Sequence, residues 1–363
     1  MDVYPSEFMK QNHQPSIIKK LPLILMSALA VSLSGLHAAS EPSDAQQEKN
    51  VYSSNKISLK QVPLQELNAT NLKNMVGLLG IEYTAIGDDY LAAKMPVNHQ
   101  TKQCIGNLHG GASVVLAETV GLTAANLLVN NDQYCVPVST DSSHVRKVIA
   151  GENVYVYARA IPLRVSTKTQ TWQIRITNDD NQLVSVTTLT LEIRDKQDHT
   201  KSEQQSSQLS SQLPNDNSRN DVCLSTNIPL ALLNKKVGSG NMVGWLGIQF
   251  TDISKKSLSA KMPVNNTTQQ PMEDLRVAYG VLAETVGTVA ANLAVDHRRF
   301  TCVGMAINVS RIRQIPPKEY VSAVATPLHV GNTTHVWQVE ITDEQNQLVC
   351  ISRLTAKIIP NKQ

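Results

Sequence analysis

Apolar residues are distributed along this chain in two ways that point to different elements. Between about 112 and 130 they run almost unbroken, whereas the segments 136–142, 153–161, 169–177 and 183–193 alternate apolar with polar positions. A period of two marks strands that bury one face, and the turn residues between them, such as those at 178–181, mark short reversals. The unbroken run has no polar stripe, so a helix there must be buried on all sides. Upstream, the pattern predicts a short helix over 64–75 and extended segments at 81–83 and 90–96, while Gly110 and Gly111 form a turn that opens the long helix. Gly121, Ala124 and Ala125 leave room for another backbone to approach that helix closely. One long central helix with several antiparallel strands is an α+β unit, and a curved sheet wrapped round the helix covers its faces.

The unit occurs twice. "NMVGLLGIEYTAIGDDYLAAKMPVN", from Asn74, returns as "NMVGWLGIQFTDISKKSLSAKMPVN" from Asn241; "VLAETVGLTAANLLV", from Val115, returns as "VLAETVGTVAANLAV" from Val281; and "WQIRITNDDNQLV" at Trp172 returns as "WQVEITDEQNQLV" at Trp337. Three blocks in the same order mean a duplicated domain. The sequence therefore divides into a first copy over 56–195, a polar linker over 196–221 and a second copy over 222–360. The linker has no periodicity that would bury a face, and it is long enough for the second copy to fold back on the first.

Residues 1–40 differ from the rest. Lys19 and Lys20 precede an apolar run over 21–36 that ends in Ala38, Ala39 and Ser40, the pattern of a secretory signal peptide or, if it is retained, a membrane anchor that tethers the protein. This predicts a periplasmic or cell-envelope location if the leader works, and the cytoplasm otherwise. Composition narrows the rest: 363 residues with 41% hydrophobic and 17% charged are globular, and a net charge of +3 without a basic cluster argues against nucleic acid as a partner. Aromatic residues are only 4%, so the cores must be filled mainly by aliphatic side chains. The five cysteines have no metal-ligand spacing, so no metal is expected; they are read as free buried thiols, with a disulfide open only if the protein is exported, and no cofactor is expected.

Glu118 is the one ionisable residue in the run 112–129, and its neighbours one turn away, Val114, Val115, Gly121 and Leu122, are apolar. A buried carboxylate needs a partner or takes a raised pKa, which makes it a candidate base or nucleophile, and Glu284 repeats the setting in the second copy. Just upstream, "LHGGAS" places His109, Gly110 and Gly111 at a helix N-terminus, where free amides favour a developing negative charge and glycine lets a carbonyl approach. Gln103 adds an amide that could orient that carbonyl. His144 and Arg146, in "SHVRKV", form a basic pair suited to a phosphate.

In order along 74–194, "NMVG", "IGDD", "MPV", "TKQ", "LHGGASVVLAE", "SHVR" and "WQI" resemble the PaaI-type hotdog thioesterases, particularly the group acting on 1,4-dihydroxy-2-naphthoyl-CoA and 4-hydroxybenzoyl-CoA; the second copy shares "NMVG", "MPV", "VLAETVG", "PLHVG" and "VWQVEITDE". The resemblance implies a tandem double hotdog, paired within one chain and open to further homo-oligomerisation, that hydrolyses an acyl- or aroyl-CoA. It also implies sites shared between copies, with Gln103, His109 and Gly110 facing Glu284, and Gln270 facing Glu118. The second copy reads "DLRVAYGVLAE" and puts Arg276 and Val277 where His109 and Gly110 would stand, so one competent and one degenerate site are expected. The damaged turn and the leader keep a second reading open, a non-catalytic exported protein that binds acyl groups or lipid.

Overall fold

Two six-stranded half-sheets meet edge to edge, each folded round its own helix. The computed structural model describes residues 57–70, 74–196, 223–265, 267–268, 276–313 and 320–361, with the backbone alone at 276–277. The leader, nearly all of the linker and Gln270 lie outside the described residues. In the first copy come helices α1 (Leu64–Ala69) and α2 (Met75–Leu78), strands β1 (Glu82–Ile86) and β2 (Leu91–Pro96), the long helix α3 (Gly110–Asn126), and strands β3 (Gln133–His144), β4 (Tyr155–Val165), β5 (Thr169–Asn178) and β6 (Leu183–Asp195). The second copy repeats them as α4 (Leu230–Gly238), α5 (Met242–Trp245), β7 (Gln249–Ile253), β8 (Leu258–Pro263), α6 (Arg276–Leu293), β9 (Phe300–Arg311), β10 (Tyr320–Val330), β11 (Thr334–Thr342) and β12 (Leu348–Pro360).

The segment expected as one helix over 64–75 is two short ones. Asn74 ends any continuous helix by taking an extended conformation and accepting the Val76 amide as an N-cap, and Asn241 does the same for α5. The strands join in a single antiparallel sheet of order β1-β2-β4-β5-β6-β3-β9-β12-β11-β10-β8-β7. The seam between copies is β3 against β9, running from Ser139 opposite Ser310 to Ser143 opposite Ala306. Asn308 Nδ2 donates to Asp141 Oδ1 across it at 2.6 Å.

Strand alternation explains the core. Along β5, Trp172, Ile174 and Ile176 are buried, and Trp337, Val339 and Ile341 do the same along β11. These side chains meet α3 and α6, which are buried almost all round as their lack of a polar stripe predicts. The two helices also touch each other. A Cβ at Gly111 would lie 2.6 Å from Val281 Cα, and one at Gly280 would lie 2.9 Å from Val114 Cγ1, so these glycines set how closely the copies approach. The cysteines are free thiols, but only Cys135, Cys302 and Cys350 are buried; Cys104 and Cys223 are exposed because they lie in connecting segments rather than on the inner faces.

Candidate active site

The site is built where the start of α3 reaches the middle of α6. His109 caps α3: its Nδ1 accepts the Gly111 amide at 2.9 Å, and its Nε2 lies 3.1 Å from Thr285 Oγ1 in the other copy. That pairing leaves Nε2 as the protonated nitrogen of a neutral ring, and burial together with the nearby His144 holds the pKa of His109 down to about 4. The Gly110 amide heads the helix, where the first N–H groups have no intrahelical acceptor.

Glu284 and His144 border the space over Gly110. A Cβ added there would lie 2.6 Å from Glu284 Oε1 and 3.0 Å from His144 Nε2. Glu284 is 4% exposed, its Oε2 has no hydrogen-bond partner among the described residues, and burial raises its pKa to about 8. His144 Nε2 is likewise buried and without a partner, and burial lowers that pKa to about 4. His144, expected from sequence beside a phosphate, lines the same cavity as Arg146, and its Nε2 borders the space over Gly110 that Glu284 also borders. Arg146 is exposed and lines the cavity beside Lys147, with its Nε donating to Leu183 O at 3.3 Å.

All of these groups line one cavity of about 870 Å³, together with Gln103 and Ser113 from the first copy and Thr288, Val289 and Leu293 along α6. Gln103 contributes its side-chain amide to the wall; its Nε2 reaches Leu108 O at 3.5 Å, at the limit of a hydrogen bond. Three contributors were not singled out from sequence. Gly304 on β9 makes room for the carboxylate, since a Cβ there would fall 2.0 Å from Glu284 Oε1. Thr285 holds His109, and the Thr288 hydroxyl, one turn beyond Glu284, is buried without a partner among the described residues. The signal for Gly304 and Thr288 lay in the repeat itself, because Pro137 and Leu122 occupy the matching places of the first copy.

Around Glu118 the arrangement differs. Arg311, which matches His144 in the repeat, forms a buried ion pair with Glu118, and Thr140 donates a hydrogen bond to the same carboxylate oxygen. Arg311 Nη1 also donates to Thr140 Oγ1 at 2.8 Å. Glu118, expected from sequence as a catalytic group, is thus engaged by a cation and a hydroxyl. Arg276 begins α6 and Val277 follows, but their side chains and Gln270 are not described.

A buried carboxylate beside a helix-terminal amide and a neutral histidine is equipped for acyl transfer. A family model described as thioesterase superfamily matches residues 105–185 and 277–350, once in each copy. The chain is 42% identical over 135 residues to an esterase-named protein of Vibrio cholerae, covering 37% of this chain and 88% of that one. It is 41% identical over 134 residues to the 1,4-dihydroxy-2-naphthoyl-CoA hydrolase of Escherichia coli, covering 37% and 96%. A solved protein from Alicyclobacillus acidocaldarius, described as having a hot dog fold, aligns over 77% of this chain and 96% of its own with a TM-score of 0.50 at 12% identity, a likeness of fold. The chain belongs to the thioesterase superfamily, as a thioester hydrolase built from two hotdog units in tandem.

Proposed function

We propose that this protein hydrolyses acyl- or aroyl-CoA thioesters of the 1,4-dihydroxy-2-naphthoyl-CoA class at one competent site made of Gln103, His109, Gly110 and Glu284, and that the site around Glu118 is degenerate. The observation that carries the reading is the convergence of the Glu284 carboxylate and the head of α3 on one space inside the cavity. The thioester carbonyl sits over Gly110, whose missing Cβ admits it, with its oxygen at the helix-terminal N–H and Gln103 orienting it. Gly111 keeps His109 in place as the cap. Once ionised, Glu284 either attacks the carbonyl carbon or draws a proton from the water that does. The carbon–sulfur bond breaks, coenzyme A leaves as the thiolate and takes up a proton, and water ends in the carboxylic acid. Arg146 and Lys147 supply cations for the phosphates of coenzyme A.

The name of the Escherichia coli relative supports the substrate class, and the ion pair of Glu118 with Arg311 supports the inequality of the two sites. The test is release of free thiol from a panel of aroyl- and acyl-CoA esters by the wild type, Glu284→Gln and Glu118→Gln. Turnover by the wild type and Glu118→Gln, with Glu284→Gln dead, is expected. Saturable binding without thiol release would favour the acyl-binding alternative, and loss of turnover only in Glu118→Gln would reverse the assignment.

A further inference from the structure

The cavity continues well past the reacting atoms. On α6 it is lined by Glu284, Thr288, Val289, Asn292 and Leu293, which share one helix face over about 13 Å. Val237 and Val303 add apolar wall, and Lys236, on α4, and Lys357, on β12, line the same cavity. Among the described lining residues the fixed cations are Arg146, Lys147, Lys236 and Lys357, and the one carboxylate is Glu284. Arg146 and Lys147 follow β3 in the first copy and serve the phosphate end. Lys236 and Lys357 belong to the second copy, the side from which α6 and β9 form the wall beyond Glu284.

Comparison of the repeats shows that these two cations are particular to this site. Asn68 and Asn234 are equivalent, since each donates its amide to a backbone carbonyl of the following strand, at Tyr83 and Phe250. That alignment puts Lys236 opposite Thr70. Val136 pairs with Glu192 as Val303 pairs with Lys357, so Lys357 stands opposite Glu192, which Arg194 engages at 2.7 Å. A wall that carries two lysines on the side holding Glu284 thus carries a threonine and an arginine-paired glutamate on the side holding Glu118.

Resting on the thioesterase reading above, we infer that the acyl subsite is specific for acyl groups whose distal end carries a carboxylate, held by Lys236 and Lys357. The apolar stretch of α6 packs the chain, and the two exposed lysines keep the distal charge paired where it meets water.

The experiment compares kcat/KM for suberoyl-CoA and octanoyl-CoA, which differ by the terminal carboxylate, in the wild type, Lys357→Glu and Lys236→Gln. The wild type is expected to favour suberoyl-CoA by about tenfold or more, Lys236→Gln to reduce that ratio, and Lys357→Glu to bring it below one. A wild-type ratio near one, or a ratio that neither substitution moves, overturns the inference while leaving thioester hydrolysis intact. Release of thiol from neither ester by the wild type overturns the functional reading and this inference with it. Both lysines are exposed, so thermal melts of the variants should match the wild type.

Discussion

The guanidinium of Arg311 closes on the carboxylate of Glu118, in the place where the neutral ring of His144 faces Glu284. One substitution between the repeats thus separates a carboxylate held in an ion pair from one whose pKa burial raises to about 8. The pair also joins the copies, since Glu118 lies on α3 and Arg311 on β9.

Glu118→Ala is therefore expected to act on stability rather than turnover. Removing one partner of a buried ion pair leaves the other charge uncompensated and costs roughly 3–5 kcal/mol, whereas replacing both by apolar groups is often neutral. Denaturant midpoints should fall for Glu118→Ala and recover in Glu118→Leu/Arg311→Met, with kcat little changed in whatever fraction remains folded. A midpoint equal to the wild type would show that the pair contributes nothing.

The pH dependence should follow Glu284. Its ordinary value is 4.5 and burial raises it to about 8, so the folded state retains a proton that the unfolded chain has lost between those values. The stabilising contribution of that proton is fully present below the unfolded value and disappears as pH rises through about 8, amounting to roughly 3–5 kcal/mol. Catalysis needs the ionised form and runs the other way. With His109 and His144 both held neutral down to about 4, kcat/KM should show a single rising limb centred near 8, and Glu284→Gln should gain stability over the wild type above that pH. A limb centred near 4 to 5 would contradict the burial of Glu284.

Much of this is legible in the amino-acid sequence itself. The repeat reappears as two copies of one set of elements, the period-two segments became β3 to β6, and the apolar run with a lone glutamate became a helix buried over most of its length. Two things were hidden for physical reasons. The direction of His144 depends on which face of β3 looks inward at its last residue, and β3 carries a bulge between Pro137 and Ser139 that resets the alternation. The Glu118–Arg311 pair joins residues far apart in sequence and across two copies, so no local pattern announces it. Only superposing the repeats, with His144 against Arg311, exposes the difference.

Gly304→Ala should disable the competent site without touching its chemistry. The added methyl would lie 2.0 Å from Glu284 Oε1, too close for both to stay, so the carboxylate must swing off the space over Gly110. A displacement of about 1 Å from reacting geometry costs on the order of 100-fold in rate. Steady-state kinetics should show that loss mainly in kcat. Restoration of the fall by Glu284→Asp in the same background, whose shorter side chain clears the methyl, would tie the effect to this contact.

Thr288→Val asks whether the buried hydroxyl one turn beyond Glu284 takes part in the reaction. Among the described residues its Oγ1 has no partner, and an unsatisfied buried hydroxyl costs folding free energy, so an isosteric apolar side chain should leave the melting temperature unchanged or raise it. If the hydroxyl holds the attacking water or the substrate carbonyl, losing that hydrogen bond lowers kcat by about tenfold with little change in KM. The first copy already carries the apolar alternative, Leu122, beside the neutralised Glu118. Wild-type kcat in Thr288→Val would make the hydroxyl a bystander, and a lower melting temperature would place it in a structural hydrogen bond instead.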